Sequence, residues 1–252
     1  MKKFTILIPL YNDWKSVFKL LENIDVHIKD WDTEVSVSIV NDASTEERPK
    51  IELYLKNIKS LRVINMKQNK GHARCNAVGL KYITEKEMYL FKDKLNWKMG
   101  GGKGFLAHQD QPAWTDFKPD RFYTVALFAN DSTIEKGCLQ FVKNGFNKEL
   151  YDYEKEGTGK LQNEEQFEWE YVPTTPRDVL IFDSYVPHRS FENKTEDPRR
   201  IFYFTYNSKE YGDLYNKYLV KKRIEFPPDI ERDKDKTYNV FNNKYNLANP
   251  IR

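Results

Sequence analysis

The chain has 252 residues, of which 39% are hydrophobic and 31% charged, and its net charge of +3 reflects 41 basic and 38 acidic side chains. This composition excludes an intrinsically disordered chain, and the balanced charge gives no reason to expect a nucleic-acid partner. Two cysteines are too few for a disulfide framework, and no apolar stretch approaches the roughly 20 residues of a membrane span. We therefore expect a globular protein of the reducing cytoplasm that does not bind a membrane.

The first 83 residues alternate strand and helix patterns. We predict strands at 4–10, 35–40 and 61–66, and helices at 16–28, 49–58 and 71–83. The basic start and the apolar run after it also resemble a signal peptide, but the run includes Pro9 and reaches no small-residue cleavage site. The alternating order predicts an α/β segment with a Rossmann-like parallel sheet and crossover helices.

From residue 84 onward the helical pattern fades and short aromatic-rich strands dominate. We predict strands at 89–97, 122–128, 138–142, 167–172, 178–182 and 200–206. Short strands separated by Gly, Pro, Asn and Asp predict an antiparallel sandwich or jelly roll. The tail, with residues 226–228 and 246–250, is expected to be an ordered wrap with little regular structure. The chain is therefore predicted to be an α+β protein in two parts, 1–83 and 84–252.

A histidine and an aspartate two positions apart, His108 and Asp110, are candidate metal ligands. On a strand, residues i and i+2 face the same side, so the imidazole and the carboxylate could converge on one ion. The alternative is a polar loop that happens to contain a histidine. His188, which follows the predicted strand at 178–182, is the candidate third ligand. Two histidines and one carboxylate with open positions opposite suit Fe(II) in oxygenases.

Two adjacent arginines, Arg199 and Arg200, lead into the last predicted strand. A buried guanidinium near an open iron site can hold a dicarboxylate through paired hydrogen bonds. Because successive strand residues point to opposite faces, only one of the two arginines can face such a site.

Taken together, Gly137-Cys138-Leu139, the pair His108 and Asp110, and His188 followed by Arg199 resemble the phytanoyl-CoA dioxygenase family of Fe(II)- and 2-oxoglutarate-dependent oxygenases. The resemblance runs from about residue 89 to the C-terminus and implies a double-stranded β-helix, or jelly-roll, core. It implies that His108, Asp110 and His188 hold the iron. In this family the arginine that binds 2-oxoglutarate follows the second histidine by eleven residues, and 199 − 188 = 11 selects Arg199.

The same resemblance implies a co-substrate pocket and a substrate class. Lys98 matches a basic position that contacts the co-substrate in relatives, although a surface lysine at a strand end is the alternative. Ser190 and Gln109 are further candidates for this pocket. Residues 91–98 and 182–190 are similar to a bacterial subgroup that includes enzymes hydroxylating small aminoalkylphosphonates. We therefore expect O₂ and a small, polar, anionic substrate.

Residues 3–83 resemble the opening of a family 2, GT-A-fold glycosyltransferase, through the segments 6–12, 40–45 and 69–76. The resemblance implies that Asp42, after the second strand, contacts the nucleotide of a sugar donor. The aspartate pair that would hold a metal on the diphosphate does not follow, so we expect a partial fold fused to a dioxygenase core. The alternatives to a dioxygenase are a nucleotide-sugar glycosyltransferase or its inactive remnant, and a non-catalytic fusion.

Overall fold

The computed structural model describes residues 2–143, 148–153, 160–176 and 178–238. The chain divides into two compact units, Met1–Met88 and Tyr89–Arg252. The predicted boundary between residues 83 and 84 lies near this division, and the assignment of a function to each part stays a prediction. Within the described ranges, no helix combines the length and the apolar character needed to cross a membrane.

The first unit contains a parallel sheet of three strands in the order β1-β2-β3. Its elements are β1 (Lys2–Leu10), α1 (Trp14–His27), β2 (Thr33–Asn41), β3 (Ile58–Asn65) and α2 (Gly71–Thr84). The central strand β2 is buried from Val37 to Asn41, as expected for a strand of a parallel sheet that is covered on both faces. The parallel sheet and two of the three predicted helices are present, but nothing in the described residues extends it into a GT-A fold.

The predicted helix at 49–58 is wrong, because residues 46–57 form neither helix nor strand. The carboxylate of Asp25, on α1, accepts hydrogen bonds from the backbone N–H groups of Lys56 (2.9 Å), Asn57 (2.7 Å) and Ile58 (2.8 Å). In a helix these amides would donate to carbonyls four residues earlier instead. The buried carboxylate therefore fixes an irregular segment that leads into β3.

The second unit is built from two four-stranded sheets, in the orders β5-β10-β7-β8 and β4-β11-β6-β9. The strands are β4 (Met88–Lys98), β5 (Phe105–His108), β6 (Phe122–Phe128), β7 (Leu139–Val142), β8 (Trp169–Val172), β9 (Val179–Asp183), β10 (His188–Ser190) and β11 (Arg199–Ser208). Antiparallel pairing joins β10 to β5 and β7, β7 to β8, and β6 to β9 and β11. This arrangement confirms the jelly-roll prediction for the second part.

An apolar core with members from both sheets fills this unit; its buried residues are Ala126, Phe128, Leu139, Phe182, Val186 and Ile201. A second aromatic cluster surrounds Phe91, whose ring centroid lies 4.5 Å from that of Phe122 and 4.8 Å from that of Tyr218. Tyr218 belongs to α3 (Tyr215–Glu225), a helix that was not predicted, whereas residues 226–228 form neither helix nor strand, as predicted. Because Tyr218 is the one buried residue of α3, the helix carries almost no amphipathic pattern. Residues 246–250 lie outside the described residues.

Candidate metal centre

The three predicted metal ligands lie together in the second unit. One ligand atom each from His108, Asp110 and His188 lies within 4.8 Å of the others. β5 ends at His108 and β10 begins at His188, and the two histidines are directly opposite each other in the antiparallel pair. A single strand pair therefore brings together two ligands that are far apart in the sequence.

Asp110 reaches the site by a route other than the one expected. The strand ends at His108, so alternation along a strand does not orient Asp110. Asp110 instead has helical backbone angles at the start of a short 3-10 helix, Gln111–Trp114. Its N–H and that of Gln111 donate to the carbonyl of Ser184, at 3.1 Å and 3.0 Å. A turn fixed by these two hydrogen bonds carries the carboxylate to the histidines.

Both imidazoles are oriented by hydrogen bonds from Nδ1. The Nδ1 atom of His108 lies 2.7 Å from the carbonyl of Leu106, and that of His188 lies 3.1 Å from the carbonyl of Val186. A carbonyl can only accept, so Nδ1 carries the proton in each ring and Nε2 keeps its lone pair. This pattern is typical of histidines that bind a metal through Nε2.

The electrostatics of the site suit a divalent cation. Burial, with the neighbouring His188 as the next cause, lowers the pKa of His108 to about 3, so this ring is neutral near pH 7. Burial alone would raise the pKa of Asp110, but electrostatic interactions with His188 and Lys92, and smaller ones with His108 and Lys94, together lower it. The site thus offers an imidazole and a carboxylate in the protonation states that metal binding requires.

The triad opens into a small cavity between the two sheets, and the space open to a water-sized sphere is about 80 Å³. Besides the triad, its lining residues are Lys92, Lys94, Asn96, Phe105, Thr124, Leu139, Phe182, Arg189, Ser190, Arg199, Tyr203 and Thr205. Apolar side chains form part of the wall, and the remaining groups are polar or cationic. Such a cavity fits a small polar ligand beside the triad.

Of the two adjacent arginines, Arg199 lines the cavity and is 1% exposed. Its Nη1 donates to the carbonyl of Gly137 and its Nη2 to Oδ1 of Asn96 at 2.9 Å, while its Nε has no partner among the described residues. Arg200 is absent from the lining and places its guanidinium 4.6 Å from the ring centroid of Trp97. Arg199 is thus a buried cation for which the described residues provide no carboxylate.

Lys98 and Ser190 form a contact behind the cavity wall. The Lys98 ammonium donates to Ser190 Oγ at 3.0 Å, to the carbonyl of Phe191 at 2.5 Å and to that of Gly137 at 3.3 Å. Burial, followed by the charge of Arg199, lowers the pKa of Lys98 to about 7. Ser190 lines the cavity and Lys98 does not. The structure therefore gives Lys98 a supporting contact to Ser190 and no direct access to a ligand.

Gln109 is fully buried and lies outside the cavity lining. Its Nε2 donates to the carbonyls of Glu149 (2.8 Å) and Tyr185 (2.7 Å), and its Oε1 accepts from the N–H of Tyr151 (3.0 Å). The predicted pocket contact is therefore not observed, because the amide is occupied by backbone groups. Gln109 holds the segments beside the metal ligands in place.

The cavity residues that the sequence reasoning missed include both lysines of the lining, Lys92 and Lys94 on β4. Together with Asn96 they occupy alternate positions of the strand, so all three point to one face. Polar residues at every second position could have indicated that this strand lines a polar cavity. The pattern lies within residues 91–98, which were used only for the family resemblance.

Asp42 belongs to the first unit, where its two carboxylate oxygens accept the backbone N–H groups of Lys70 and Gly71, each at 2.8 Å. These are amides at the N-terminus of α2, where a negative charge is favourable. The side chain is buried, at 4% exposure. Asp42 therefore stabilises the start of a helix, and the predicted nucleotide contact gains no support.

Comparison with known proteins agrees with the geometry of the second unit. The chain is 38% identical over 171 residues to a 2-aminoethylphosphonate dioxygenase of uncultured bacterium HF130_AEPn_1, a match that covers 68% of this chain and 65% of that protein. It is 39% identical over 137 residues to a methylphosphonate hydroxylase of Gimesia maris, covering 54% of this chain and 52% of that protein. The chain thus matches less than two thirds of the length of these curated relatives.

Among solved structures, the non-heme alpha ketoglutarate dependent epimerase SnoN from nogalamycin biosynthesis is similar over 54% of this chain and 55% of that chain, with a TM-score of 0.47 and 23% identity. The family model for phytanoyl-CoA dioxygenase (PhyH) matches residues 18–201. The match therefore includes most of the segment that resembles a glycosyltransferase. With most of its length matched by this one model, the chain belongs to the phytanoyl-CoA dioxygenase (PhyH) family.

Proposed function

We propose that the protein is an Fe(II)- and 2-oxoglutarate-dependent dioxygenase that hydroxylates a small anionic substrate of the phosphonate type. The observation that carries the proposal is the cluster of His108, Asp110 and His188 at the wall of a small cavity. Two histidines and one carboxylate on one side of an ion leave its other positions open, as non-heme iron oxygenases require. The two phosphonate-oxidising relatives support the substrate class.

In this proposal each ligand contributes one atom to the metal: Nε2 from His108, Nε2 from His188 and a carboxylate oxygen from Asp110. The hydrogen bonds from Nδ1 to the carbonyls of Leu106 and Val186 keep both Nε2 lone pairs available. Bound iron would supply the coupling of O₂ reduction to oxidative decarboxylation of 2-oxoglutarate and oxidation of the substrate. The protein contributes an open metal face and a small cavity beside it.

Arg199 is proposed to bind the distal carboxylate of 2-oxoglutarate. Its guanidinium is buried, lines the cavity and has no acidic partner among the described residues, so an incoming carboxylate would neutralise it. Asn96 and the carbonyl of Gly137 fix the plane of the guanidinium through Nη2 and Nη1. Ser190 adds a hydroxyl to the same cavity, and Lys98 holds that hydroxyl in place.

Anaerobic titration of the protein with Fe(II) and 2-oxoglutarate tests the proposal. We expect a weak visible charge-transfer band in the wild type that is absent in His108→Ala and present in His27→Ala. Succinate release with 2-aminoethylphosphonate or methylphosphonate, measured in air, tests turnover. If neither a band nor succinate is produced, the dioxygenase proposal is wrong and a non-catalytic fusion remains.

The alternative, a nucleotide-sugar glycosyltransferase or its inactive remnant in residues 1–83, is disfavoured. Asp42 was its proposed nucleotide contact, and both oxygens of that carboxylate already accept backbone hydrogen bonds. The side chain is also only 4% exposed, which leaves little surface for a nucleotide to contact.

A further inference from the structure

The cavity that holds the triad contains two cationic regions, and only one of them is used by the proposed function. Arg199 at the start of β11 forms the first region. The second consists of Lys92 and Lys94, which project from β4 into the same cavity. These two lysines have no role in holding iron or in the proposed contact with 2-oxoglutarate.

Neither lysine has a polar partner among the described residues. No hydrogen bond or ion pair within 4 Å is made by either ammonium in that part of the chain. Each ammonium lies near an aromatic ring: Lys92 Nζ is 4.4 Å from the ring centroid of Trp114, and Lys94 Nζ is 5.4 Å from that of Phe105. Lys92 is half-buried and Lys94 is exposed, and both line the cavity. Two ammonium groups thus project from one strand into the cavity, each near an aromatic ring and neither in an ion pair with a described residue.

The strand separates the two cationic regions in space. Lys92, Lys94 and Asn96 lie on one face of β4, with about 7 Å between successive members at the usual rise of a strand. Asn96 is the residue that contacts Arg199, at 2.9 Å, so it marks the guanidinium end of the row. The lysines extend from there toward Asp110, whose charge acts on both of them. A ligand on the lysines and a ligand on Arg199 would therefore contact different parts of the cavity wall.

The charges in the cavity indicate what the second ligand must be. A divalent metal, the Asp110 carboxylate, the Arg199 guanidinium and the dianion of 2-oxoglutarate sum to zero. Arg189, also in the wall, is paired with Glu164 at 3.2 Å. The two positive charges of Lys92 and Lys94 then remain, and a compact group with two negative charges would neutralise them. Burial, partly offset by Asp110, lowers the pKa of Lys92 to about 8, which agrees with a cation that lacks its counter-ion.

We infer that Lys92 and Lys94 bind the dianionic phosphonate group of the substrate and so determine which carbon faces the metal. The inference rests on the proposed function and adds to it the residues that select the substrate. A phosphonate offers three tetrahedrally arranged oxygens, which suits two ammonium groups that approach from one strand. A monocarboxylate has one charge too few, so 3-aminopropionate, the carboxylate counterpart of 2-aminoethylphosphonate, should bind at least tenfold more weakly.

The test measures phosphonate binding directly, by ³¹P NMR line broadening of methylphosphonate on the full chain loaded with Zn(II) and 2-oxoglutarate, which cannot turn over. We expect Lys94→Met and Lys92→Met to weaken binding ten- to a hundredfold, while Lys94→Arg stays within a few-fold of wild type. Lys222→Met is the matched control, because its charge also acts on both lysines but its side chain lies outside the cavity lining. Circular dichroism confirms that each variant is folded.

The outcomes separate this inference from the proposed function. A wild type that retains neither Zn(II) nor 2-oxoglutarate contradicts the proposed function itself. A wild type that retains both but leaves the methylphosphonate line unbroadened overturns the role of the lysines. Equal losses in Lys94→Met and Lys222→Met also overturn it, since they indicate a general charge effect. A loss of 2-oxoglutarate affinity in Lys94→Met, with phosphonate binding intact, would assign the pair to the co-substrate instead.

Discussion

The imidazole rings of His108 and His188 face each other across one strand pair, with their centroids 4.2 Å apart. Each ring is fixed by its own hydrogen bond to a carbonyl two residues earlier in the chain. Because the two anchors are independent, replacing one ring removes one ligand and leaves the other ring in position.

We therefore expect His108→Ala or His188→Ala to weaken Fe(II) binding by more than roughly 100-fold, since even the outer hydrogen-bond partners of metal ligands contribute 10- to 100-fold. Metal content after gel filtration measures this. His27→Ala is the control, because His27 also has an Nδ1 contact to a carbonyl, that of Asn23 at 2.8 Å, but lies on the surface of the first unit. Unchanged iron binding in both variants would show that the triad does not bind iron.

The stability of the metal-free protein should fall on acidification because of His108. Its pKa is about 3 in the folded chain, below the ordinary value of 6.5. Between these values the unfolded chain binds a proton that the folded chain does not, so the free energy of unfolding falls as the pH falls. From pH 7 to pH 5 this residue should account for a loss of roughly 2 kcal/mol.

Urea unfolding in the presence of a chelator measures this loss. His108→Gln should show a correspondingly smaller decrease between the two pH values, whereas His27→Gln should follow the wild type. If the curves of wild type and His108→Gln run parallel, His108 is not the group responsible.

Arg199 lines the cavity and Arg200 does not, so substituting each in turn shows which of the two arginines binds 2-oxoglutarate. Arg199→Met should weaken 2-oxoglutarate binding by roughly 10- to 100-fold, the value of a charge-assisted bidentate contact, with iron binding retained. Arg200→Met should leave the dissociation constant nearly unchanged, because its guanidinium packs on Trp97. Titration of the visible band with 2-oxoglutarate gives both constants. Equal effects of the two substitutions would show that the wrong arginine was chosen.

Asp42 should matter for the stability of α2 and not for turnover. Asp42→Ala removes two hydrogen bonds at the start of that helix, and we expect a cost of about 2 kcal/mol. Hydrogen exchange of peptides from α2 should become faster, while succinate release stays the same. Asp13→Ala should cost less, since its carboxylate is an exposed cap with one contact, to the N–H of Ser16 at 3.4 Å. A UDP-sugar that binds the wild type but not Asp42→Ala would restore the glycosyltransferase interpretation.

Much of the fold follows from local patterns in the sequence. The strand predicted at 122–128 has the observed bounds of β6, and the change from alternating elements to short strands predicts the jelly roll. The two wrong predictions of secondary structure have different causes. The segment 49–58 is irregular because Asp25, on a distant helix, captures its amides. The helix α3 was not predicted because only Tyr218 is buried on it, so its sequence lacks a helical hydrophobic pattern.

The candidate site was predicted only in part, because some of its contacts join residues that are far apart in the sequence. The residue types His108, Asp110 and His188 carry the chemistry of metal binding, so their pattern can be recognised without a structure. The pattern does not show which hydrogen-bond partners each neighbouring side chain has in the folded protein. The amide of Gln109 is occupied by backbone groups from two other segments, whereas Lys92 and Lys94 reach the cavity from a strand that lies before the metal-binding motif.

The pairing of β5 with β10 contains a bulge: His188 lies opposite His108, but Ser190 lies opposite Phe105. Regular pairing would put Leu106 there, so β5 has one residue more than β10 between the two positions. This residue lets the N–H of Phe105 donate to Ser190 Oγ, at 3.3 Å, while His188 keeps its place in the triad. Gly104 precedes the strand, and a Cβ there would lie 2.0 Å from the carbonyl oxygen of Ser190, so β5 cannot slide to absorb a change. An insertion or deletion within residues 105–107 would therefore move either His108 or Ser190 out of place.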